Sequence, residues 1–403
     1  MRRAVRLRIC LTLTMTLAMA AARCLGQTVG APDQQRQTAI SLEQQGQNAE
    51  AEAAWRLYLN AHPSNPEPYA HLGLLEARQE HYSEAVPLYR KALALNPKMP
   101  GLRLNLGLAL FKAGELKQAL QEFKPLLKSR PQGSDQAQRL TILIGMAHYG
   151  LREYAEAVPY LKQAAAFEAQ NLQLRLALAH SCLWSKQYQC VLDTYRQILT
   201  LNAESAEADM LAGEALDELR NHAKAIEQFR AAVKANPSEP DVHFGLGYLL
   251  WTQMQYPEAA SEFQAELANN PNHVQALTYL GDAEMQLKHP ETARPLLENA
   301  LRIDAGQELA HLDLGILFAD AGRRDDALRE LSVAAKLAPE DVNVHWRLGR
   351  LYRAMGKKDE AKAEFDKASS ITRAADNALV DKMSDGHARP AQAQHPAAAP
   401  AEK

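Results

Sequence analysis

The chain has 403 residues, of which 47% are hydrophobic and 23% are charged, and it carries 45 basic residues against 48 acidic ones. This near balance lacks the concentrated positive charge that nucleic-acid binding requires, so we expect no nucleic-acid partner. A globular chain of this length would divide into about two or three domains. A pattern that recurs at intervals of about 34 residues instead indicates one array of small units.

Residues 1–26 differ in kind from the rest of the chain. Four arginines lie between positions 2 and 8, and residues 9–22 form an uncharged, largely apolar run that is followed by small residues. This layout is typical of a cleavable secretory signal peptide, and the run is shorter than the roughly 20 apolar residues of a spanning helix. We therefore predict a signal peptide over residues 1–26. The expected mature protein is exported, periplasmic or extracellular, with no permanent membrane span; the alternative is an uncleaved N-terminal anchor.

Residues 206–239 contain the pattern that the following and preceding residues repeat. Apolar residues recur at spacings of three and four from Leu211 to Leu219, and again from Ala225 to Val233, as they do on one face of a helix. Pro237 ends the second helix because proline has no backbone donor and disfavours a helical conformation in the residue before it. Neither helix can bury its apolar face alone, so the unit needs neighbours on both sides.

The small residues of this unit recur through the chain. Glycine stands at the position of Gly213 in seven other units: Gly73, Gly107, Gly145, Gly247, Gly281, Gly315 and Gly349. An alanine follows each of these glycines after twelve residues, and an aromatic residue or a leucine follows that alanine after four more. Prolines close five of the units, at Pro97, Pro131, Pro237, Pro271 and Pro339.

This combination resembles the tetratricopeptide repeat family, whose signature places glycine, alanine, an aromatic residue and proline at these relative positions. The resemblance implies an all-α fold, a right-handed α-solenoid superhelix of about ten stacked helix-turn-helix units over residues 27–373. The fifth unit departs most from the signature, with Ala179 and Val191 at the two small positions. The predicted repeats lie near residues 32–65, 66–99, 100–133, 138–171, 172–205, 206–239, 240–273, 274–307, 308–341 and 342–373.

Two segments interrupt or follow the repeats. Residues 134–137 are an insertion, and Ser134 and Asp135 are residue types that favour helix N-termini, so we expect a longer first helix in the fourth unit. Residues 374–403 are predicted to contain a short capping segment, over residues 376–383, and then a disordered tail rich in alanine and proline. Such a tail has too few large apolar side chains to offset the entropy lost on ordering.

Cys182 and Cys190 are the two cysteines that remain after removal of the signal peptide, one on each predicted helix of the fifth unit. Two interpretations stay open. An oxidising compartment would permit a disulfide between them, although disulfide geometry is demanding. Free cysteines also pack as small buried side chains.

The sequence contains no metalloprotease zinc helix, no phosphate-binding loop and no nucleophile elbow. We therefore expect a non-catalytic protein with no cofactor and no metal site. Three histidines, His243, His311 and His345, share one position of the repeat, and we interpret them as packing residues between units rather than as ligands.

The resemblance also implies which side chains point into a concave groove lined by the first helices. The partner-binding candidates at these positions, with Arg347 beside them, are Phe111, Tyr149, Trp184, Met210, Glu214, Phe244, Tyr248, Trp251, Met285, Arg347, Arg350 and Arg353. Exposed aromatic rings usually mark a binding surface. The three arginines step by three along one helix, which suits a carboxylate or a phosphate. A solvated helix face is the alternative for the arginines.

Two functional hypotheses follow. The first is an exported protein–protein interaction scaffold that binds a peptide or helix of a partner in its groove. The second is a carbohydrate-binding accessory protein of polysaccharide or envelope assembly, since aromatic rows also stack on sugar rings. Family members that clamp a C-terminal carboxylate use a lysine and an asparagine at fixed positions of one repeat. No repeat here has that pair, so we do not expect such a clamp.

Overall fold

The computed structural model describes residues 32–385, all of whose regular elements are α-helices. The predicted signal peptide and the last part of the predicted tail lie outside the described residues. Among the described helices, none is both long enough and apolar enough to cross a bilayer.

The helices, in chain order, are α1 (Pro32–Gln44), α2 (Asn48–Ala61), α3 (Pro66–Arg78), α4 (Tyr82–Leu95), α5 (Leu102–Lys112), α6 (Leu116–Lys128), α7 (Asp135–Gly150), α8 (Tyr154–Phe167), α9 (Leu172–Trp184), α10 (Tyr188–Leu199), α11 (Ala206–Glu218), α12 (His222–Ala235), α13 (Val242–Thr252), α14 (Tyr256–Asn269), α15 (Val274–Gln286), α16 (Pro290–Ile303), α17 (Glu308–Asp320), α18 (Arg324–Leu337), α19 (Val342–Ala354) and α20 (Lys358–Asp385).

The described residues form two compact units, with α1–α10 in the first unit, which ends at Leu201, and α11–α20 in the second, which begins at Asn202. Within each unit, consecutive helices pair as hairpins and each hairpin packs on the next one. In the second unit the first helices of neighbouring hairpins also contact each other, as α13 and α15 do, so they form a continuous row there. The predicted fold class, all-α with stacked helix-turn-helix repeats, is confirmed.

A glycine on the first helix allows the two helices of a hairpin to cross closely. A Cβ atom placed on Gly213 would lie 2.6 Å from the Phe229 ring and 3.4 Å from the Ala225 carbonyl oxygen. Gly107 faces Phe123 in the same way, and Gly349 faces Phe365. The ring therefore occupies the space that the missing side chain leaves, and the small positions of the repeat are explained by this contact.

The turn between the two helices of each hairpin contains one residue in the left-handed backbone conformation. In the sixth hairpin this residue is Arg220, with a φ of 60°. Its amide donates to the Asp217 carbonyl at 2.8 Å, and the next amide, of Asn221, donates to the Leu216 carbonyl at 2.8 Å. These two bonds satisfy carbonyls at the end of α11, as in the usual left-handed ending of a helix. The turn geometry therefore recurs with the repeat even where the residue is not glycine.

The insertion before the fourth hairpin acts as predicted. The Ser134 hydroxyl accepts a hydrogen bond from the Ala137 amide at 3.3 Å, so it caps a helix that begins at Asp135. Helix α7 has 16 residues, against 13 in α9, the first helix of the next hairpin. The expectation of a longer first helix is confirmed.

The C-terminal helix differs from the expected short capping segment. Residues 376–383 continue α20, which has 28 residues, and do not form an element of their own. No glycine or proline stands between Lys358 and Asp385 to end the helix earlier.

The fifth hairpin is covalently closed. Cys182 on α9 and Cys190 on α10 form a disulfide, with an S–S distance of 2.03 Å and Cα atoms 5.8 Å apart. Cys182 is fully buried. Of the two interpretations that the sequence left open, the structure has the disulfide.

Candidate partner-binding surfaces

In the first unit, three rings form a surface that we call the first-unit aromatic patch: Tyr149, Tyr154 and Trp184. Trp184 ends α9 and leaves 64% of its surface exposed. Its ring stacks on Tyr154 with centroids 6.2 Å apart, and Tyr149 meets the Tyr154 ring edge-on at 6.1 Å. Such a pre-arranged set of rings loses little conformational entropy when a ligand covers it.

Tyr154 was not among the sequence candidates because it belongs to a second helix, α8. It is the first residue of that helix, so the tight turn places it beside the end of α7 and hence beside Tyr149. An aromatic residue directly after the turn is the signal that sequence reasoning missed.

Phe111, another first-unit candidate, has a different environment. It is half-buried, its ring lies 6.5 Å from that of Phe123, and it packs against the hydrophobic core of the first unit. The structure therefore assigns Phe111 mainly to packing between helices.

In the second unit, four rings form the second-unit aromatic cluster: Phe244, Tyr248 and Trp251 on α13, and Tyr279 on α15. Tyr248 and Trp251 stack at 6.1 Å, and each meets Tyr279 edge-on, at 5.3 and 5.0 Å. Phe244 lies 6.0 Å from Tyr279. Tyr248 is 36% exposed, whereas the other three rings are half-buried. The structure therefore brings three predicted residues together around a fourth, Tyr279, that the sequence did not suggest.

The polar edge of this cluster is fixed by a carboxylate. The Trp251 indole Nε1–H donates to Asp282 Oδ2 at 2.5 Å, and the Gln286 amide donates to Asp282 Oδ1 at 3.2 Å. Burial raises the pKa of the nearby Tyr279 hydroxyl, and the charges of Tyr248, Asp282 and Glu308 raise it further. The Trp251 ring is thus held in one orientation by hydrogen bonding as well as by packing.

The remaining candidates on α11 and α15 are less prominent. Met210 and Met285 are half-buried and pack against hydrophobic cores of the second unit. Glu214 is exposed on α11. None of the three belongs to the second-unit aromatic cluster as defined by its ring contacts.

The three candidate arginines of α19 separate into two groups. Arg347 and Arg350 line a cleft together with Arg324 of α18, and we call this site the arginine cleft. Arg353 instead lies over the Phe365 ring, with its guanidinium carbon 5.7 Å from the ring centroid. The predicted stripe of three is therefore divided, and its third member at the cleft comes from a different helix.

Helix α17 carries a buried carboxylate, Asp313. Asp313 is only 3% exposed, and its Oδ2 atom has no hydrogen-bond partner among the described residues. Burial raises the pKa of Asp313 well above its usual range, with further increases from the charges of Asp282 and Glu308 and a decrease from Arg347. Burial also raises the pKa of Glu308, and Asp341 adds to that shift.

The three histidines at one repeat position contact glutamate side chains within their own hairpins. His311 Nδ1 lies 2.8 Å from Glu330, while its Nε2 lies 3.1 Å from the Ala305 carbonyl oxygen. His345 contacts Glu364 at 2.6 Å in the same way, as does His243 with Glu262. The pairs join the first helix to the second helix of each hairpin, so these histidines are structural, although their main contact lies inside the hairpin and not between units.

Among the described residues, one group of side chains has metal-ligand chemistry: Asp241, Glu266 and His273. However, the Ala276 amide donates to His273 Nδ1 at 3.0 Å, so the neutral ring carries its proton on Nε2. His273 Nε2 donates this proton to Asp241 Oδ1, at a distance of 2.8 Å between the two atoms. Glu266 accepts a hydrogen bond from the Phe244 amide at 3.2 Å. The group is accounted for as a helix cap with satisfied hydrogen bonds, because no ring nitrogen has a lone pair free for a metal.

Comparison with known proteins agrees with the repeat architecture. Family models described as tetratricopeptide repeats match residues 36–100, 76–141, 192–240, 244–308 and 318–380. The chain is 24% identical over 188 residues to Anaphase-promoting complex subunit 3 of Schizosaccharomyces pombe, covering 47% of this chain and 28% of the relative. It is 27% identical over 322 residues to Cellulose synthase operon protein C of Xanthomonas axonopodis pv. citri, covering 77% of this chain and 18% of the relative. The matched region thus spans less than a third of either relative.

A solved structure with a similar fold is YrrB, described as a TPR protein with an unusual peptide-binding site. The similarity covers 47% of this chain and 97% of that one, at 21% identity and a TM-score of 0.38.

Proposed function

This chain belongs to the tetratricopeptide repeat family, and from that membership we propose that it is a non-catalytic, exported scaffold that binds a peptide segment or helix of a partner protein. Two features of the sequence support the non-catalytic and exported parts of this proposal. It contains no recognised catalytic motif, and residues 1–26 have the layout of a signal peptide.

The second-unit aromatic cluster is the observation that carries the binding proposal. Its rings lie on the first helices of two neighbouring repeats, Tyr248 is exposed, and Asp282 holds Trp251 in place. Aromatic rings that remain partly exposed on a rigid surface gain free energy when apolar side chains of a partner cover them. The cluster is therefore suited to be the energetic centre of an interface. Asp282 fixes the orientation of the Trp251 ring within it.

The first-unit aromatic patch supports the same role independently. Trp184 is among the most exposed large hydrophobic side chains of the described residues. Tryptophan and tyrosine are the residue types that most often dominate binding energy in interfaces. We propose that a partner covers the Trp184 and Tyr154 rings.

Replacement of Trp184, Tyr248 and Trp251 by alanine tests this function. We expect capture of a partner from the native envelope fraction to weaken about 1,000-fold or more, because each hot-spot ring contributes about 2 kcal/mol or more and only the losses at the neighbouring Tyr248 and Trp251 add incompletely. Quantitative pull-down followed by mass spectrometry measures the effect.

Leu57→Ala is the matched control, because Leu57 is 66% exposed but lies on a second helix, α2. Trp251→Ala also removes the partly buried hydrogen-bond donor of Asp282, so the double variant of Trp184 and Tyr248 checks that the loss does not come from unfolding. The proposal would be contradicted if the triple and the double aromatic variants both captured the partner as well as the wild-type protein does, with circular dichroism showing native helices.

Carbohydrate binding is a second candidate function, favoured by one observation. The similarity to Cellulose synthase operon protein C extends over 77% of this chain. Stacking of a sugar ring on Trp184 would use the same exposed face. Binding to glycan arrays that free oligosaccharide competes, together with peptide capture that oligosaccharide does not affect, would separate the two functions.

A further inference from the structure

The arginine cleft lies between the ninth and tenth hairpins, within the second unit. It has a volume of about 290 Å³ and is lined by Arg324 from α18 and by Arg347 and Arg350 from α19. This volume is at the lower end of the range of about 300–1,000 Å³ that is usual for ligand pockets, so the cleft has room for one charged group with its attached methylene groups. Three cationic side chains from two helices line this space.

None of these three arginines forms an ion pair with a carboxylate of the described residues, whereas their neighbours do. On the same helix as Arg324, Arg329 pairs with Asp326 at 2.5 Å, and Arg323, just before that helix, pairs with the same carboxylate at 2.5 Å. The one carboxylate that lines the cleft, Asp320, is exposed and makes no salt bridge with the cleft arginines. The cleft thus keeps a net positive charge, although acidic residues are available nearby.

Two of the arginines are held in place by contacts on α19. The Arg350 guanidinium lies over the Trp346 ring, 4.9 Å from its centroid. Arg347 Nε lies 3.4 Å from the Asn343 side-chain oxygen, on the preceding turn of the helix. An arginine that is already oriented loses less entropy when it binds a planar oxyanion through its paired N–H groups.

A buried acid, Asp313, interacts electrostatically with Arg347, and burial raises the pKa of Asp313 well above its usual range. Asp313 is not among the residues that line the cleft.

Apolar side chains also line the cleft. They are Ile316 of α17, Leu331 of α18 and Leu351 of α19, and the latter two belong to the buried core. A methylene chain fits against such a wall, while a charged end group fits against the guanidinium groups. Free inorganic phosphate would use only the second feature.

We propose that the arginine cleft binds the carboxylate of one acidic side chain of the partner peptide, with the methylene groups of that side chain against Ile316, Leu331 and Leu351. The assignment rests on the proposed scaffold function, and it adds a charge requirement to the partner: an acidic residue at the position that reaches the ninth and tenth repeats. The geometry that supports it is the convergence of three arginines without carboxylate partners among the described residues.

Titration of the purified full chain with a capped peptide tests the proposal directly. The probe carries a single glutamate between leucine and alanine residues, and its twin carries glutamine instead. Trp346 reports binding through its fluorescence, because its ring lies under the Arg350 guanidinium. We expect a saturable change with the glutamate peptide that is about tenfold weaker with the glutamine peptide, and that is lost in the Trp346→Phe protein.

The variants R324Q and R350Q should each weaken binding of the glutamate peptide about tenfold, the loss expected from one charged hydrogen-bonding group. R353Q is the matched control, because Arg353 lies on the same helix but over the Phe365 ring and outside the cleft. A thermal melt of each variant shows whether the repeat remains folded.

Three outcomes would overturn the assignment: equal losses in R353Q and R350Q, equal binding of the two peptides, or binding of inorganic phosphate without binding of the glutamate peptide. This test changes no ring of the first-unit aromatic patch or of the second-unit aromatic cluster. Failure at the cleft with intact partner capture would leave the scaffold proposal standing, and loss of capture in the aromatic variants would leave the cleft result unchanged.

Discussion

The fifth and ninth hairpins hold their two helices together by different means. In the ninth, Gly315 lies so close to Leu331 that a Cβ atom would be 2.6 Å from Leu331 Cγ, and Leu331 is buried. In the fifth, Ala179 and Val191 occupy the small positions and a disulfide links α9 to α10. Tyr195, at the position of Leu331, remains half-buried.

The difference shows what the small residues of the repeat contribute. Where they are present, as in the ninth hairpin, the two helices pack closely, and the His311–Glu330 contact also joins them without a covalent bond. In the fifth hairpin, where Ala179 and Val191 stand at the small positions, a disulfide joins the helices. We infer that this bond adds to the stability of a hairpin that lacks the glycine of the repeat.

The largest loss of stability is expected for Gly315→Val, which removes the close approach of the two helices in the ninth hairpin. The new side chain would meet Leu331 Cγ at 2.6 Å and the Leu331 backbone nitrogen at 3.3 Å, and the backbone cannot move without separating the helices. Overpacking of this kind lowers the free energy of unfolding by about 3 kcal/mol. Urea unfolding followed by circular dichroism measures the change.

Ala179→Gly is the matched change in the fifth hairpin. We expect a loss of about 1 kcal/mol, the helix-propensity cost of glycine relative to alanine. Equal losses for Gly315→Val and Ala179→Gly would show that the two hairpins are closed in the same way.

Removal of the disulfide should have the next largest effect. Replacement of Cys182 and Cys190 by alanine frees a loop with a sequence separation of 8, and the entropy of that loop corresponds to about 2 kcal/mol of stability. Thermal melts of the wild-type protein with and without reductant should show the same decrease. Reductant should leave the double variant unchanged; a decrease there would assign the effect to something other than this bond.

The smallest effect, and one of opposite sign, is expected for Asp313→Asn. Burial raises the pKa of Asp313 above the ordinary value of 3.8, so its ionisation costs the folded state free energy as the pH rises through the unfolded and then the folded pKa. The isosteric amide removes that cost. We expect a higher Tm than wild type at pH 7 and a gain that shrinks towards about pH 4, where the unfolded aspartate also becomes protonated. A gain that is the same at both pH values would mean that the charge of Asp313 is not its cause.

Much of the fold could be predicted because the information is periodic and local. The spacing of Gly213, Ala225 and Phe229 predicts a hairpin crossing, and the structure has that contact. Ser134 predicts the start of α7, since a capping side chain acts on amides two or three residues away. The end of α20 was harder, because residues 374–385 contain no helix-breaking residue and also no repeat to compare them with.

The candidate surfaces were predicted only in part. Tyr248 and Trp251 were found because they share the first-helix face of one repeat, and the structure places them together. Tyr279 and Arg324 were missed because each comes from a different helix than the residues that it joins. The position of a residue within one repeat does not predict which side chains of the next repeat it contacts.

The sequence by itself determined the repeat, its helices and its turns, since these depend on backbone conformation and on apolar spacing within about 34 residues. The tertiary structure alone decided which side chains meet: Trp251 with Asp282, Tyr154 with Trp184, and Arg324 with Arg347 and Arg350. The physical reason is that these contacts join different helices, and the way in which neighbouring helices pack sets the distances between their side chains.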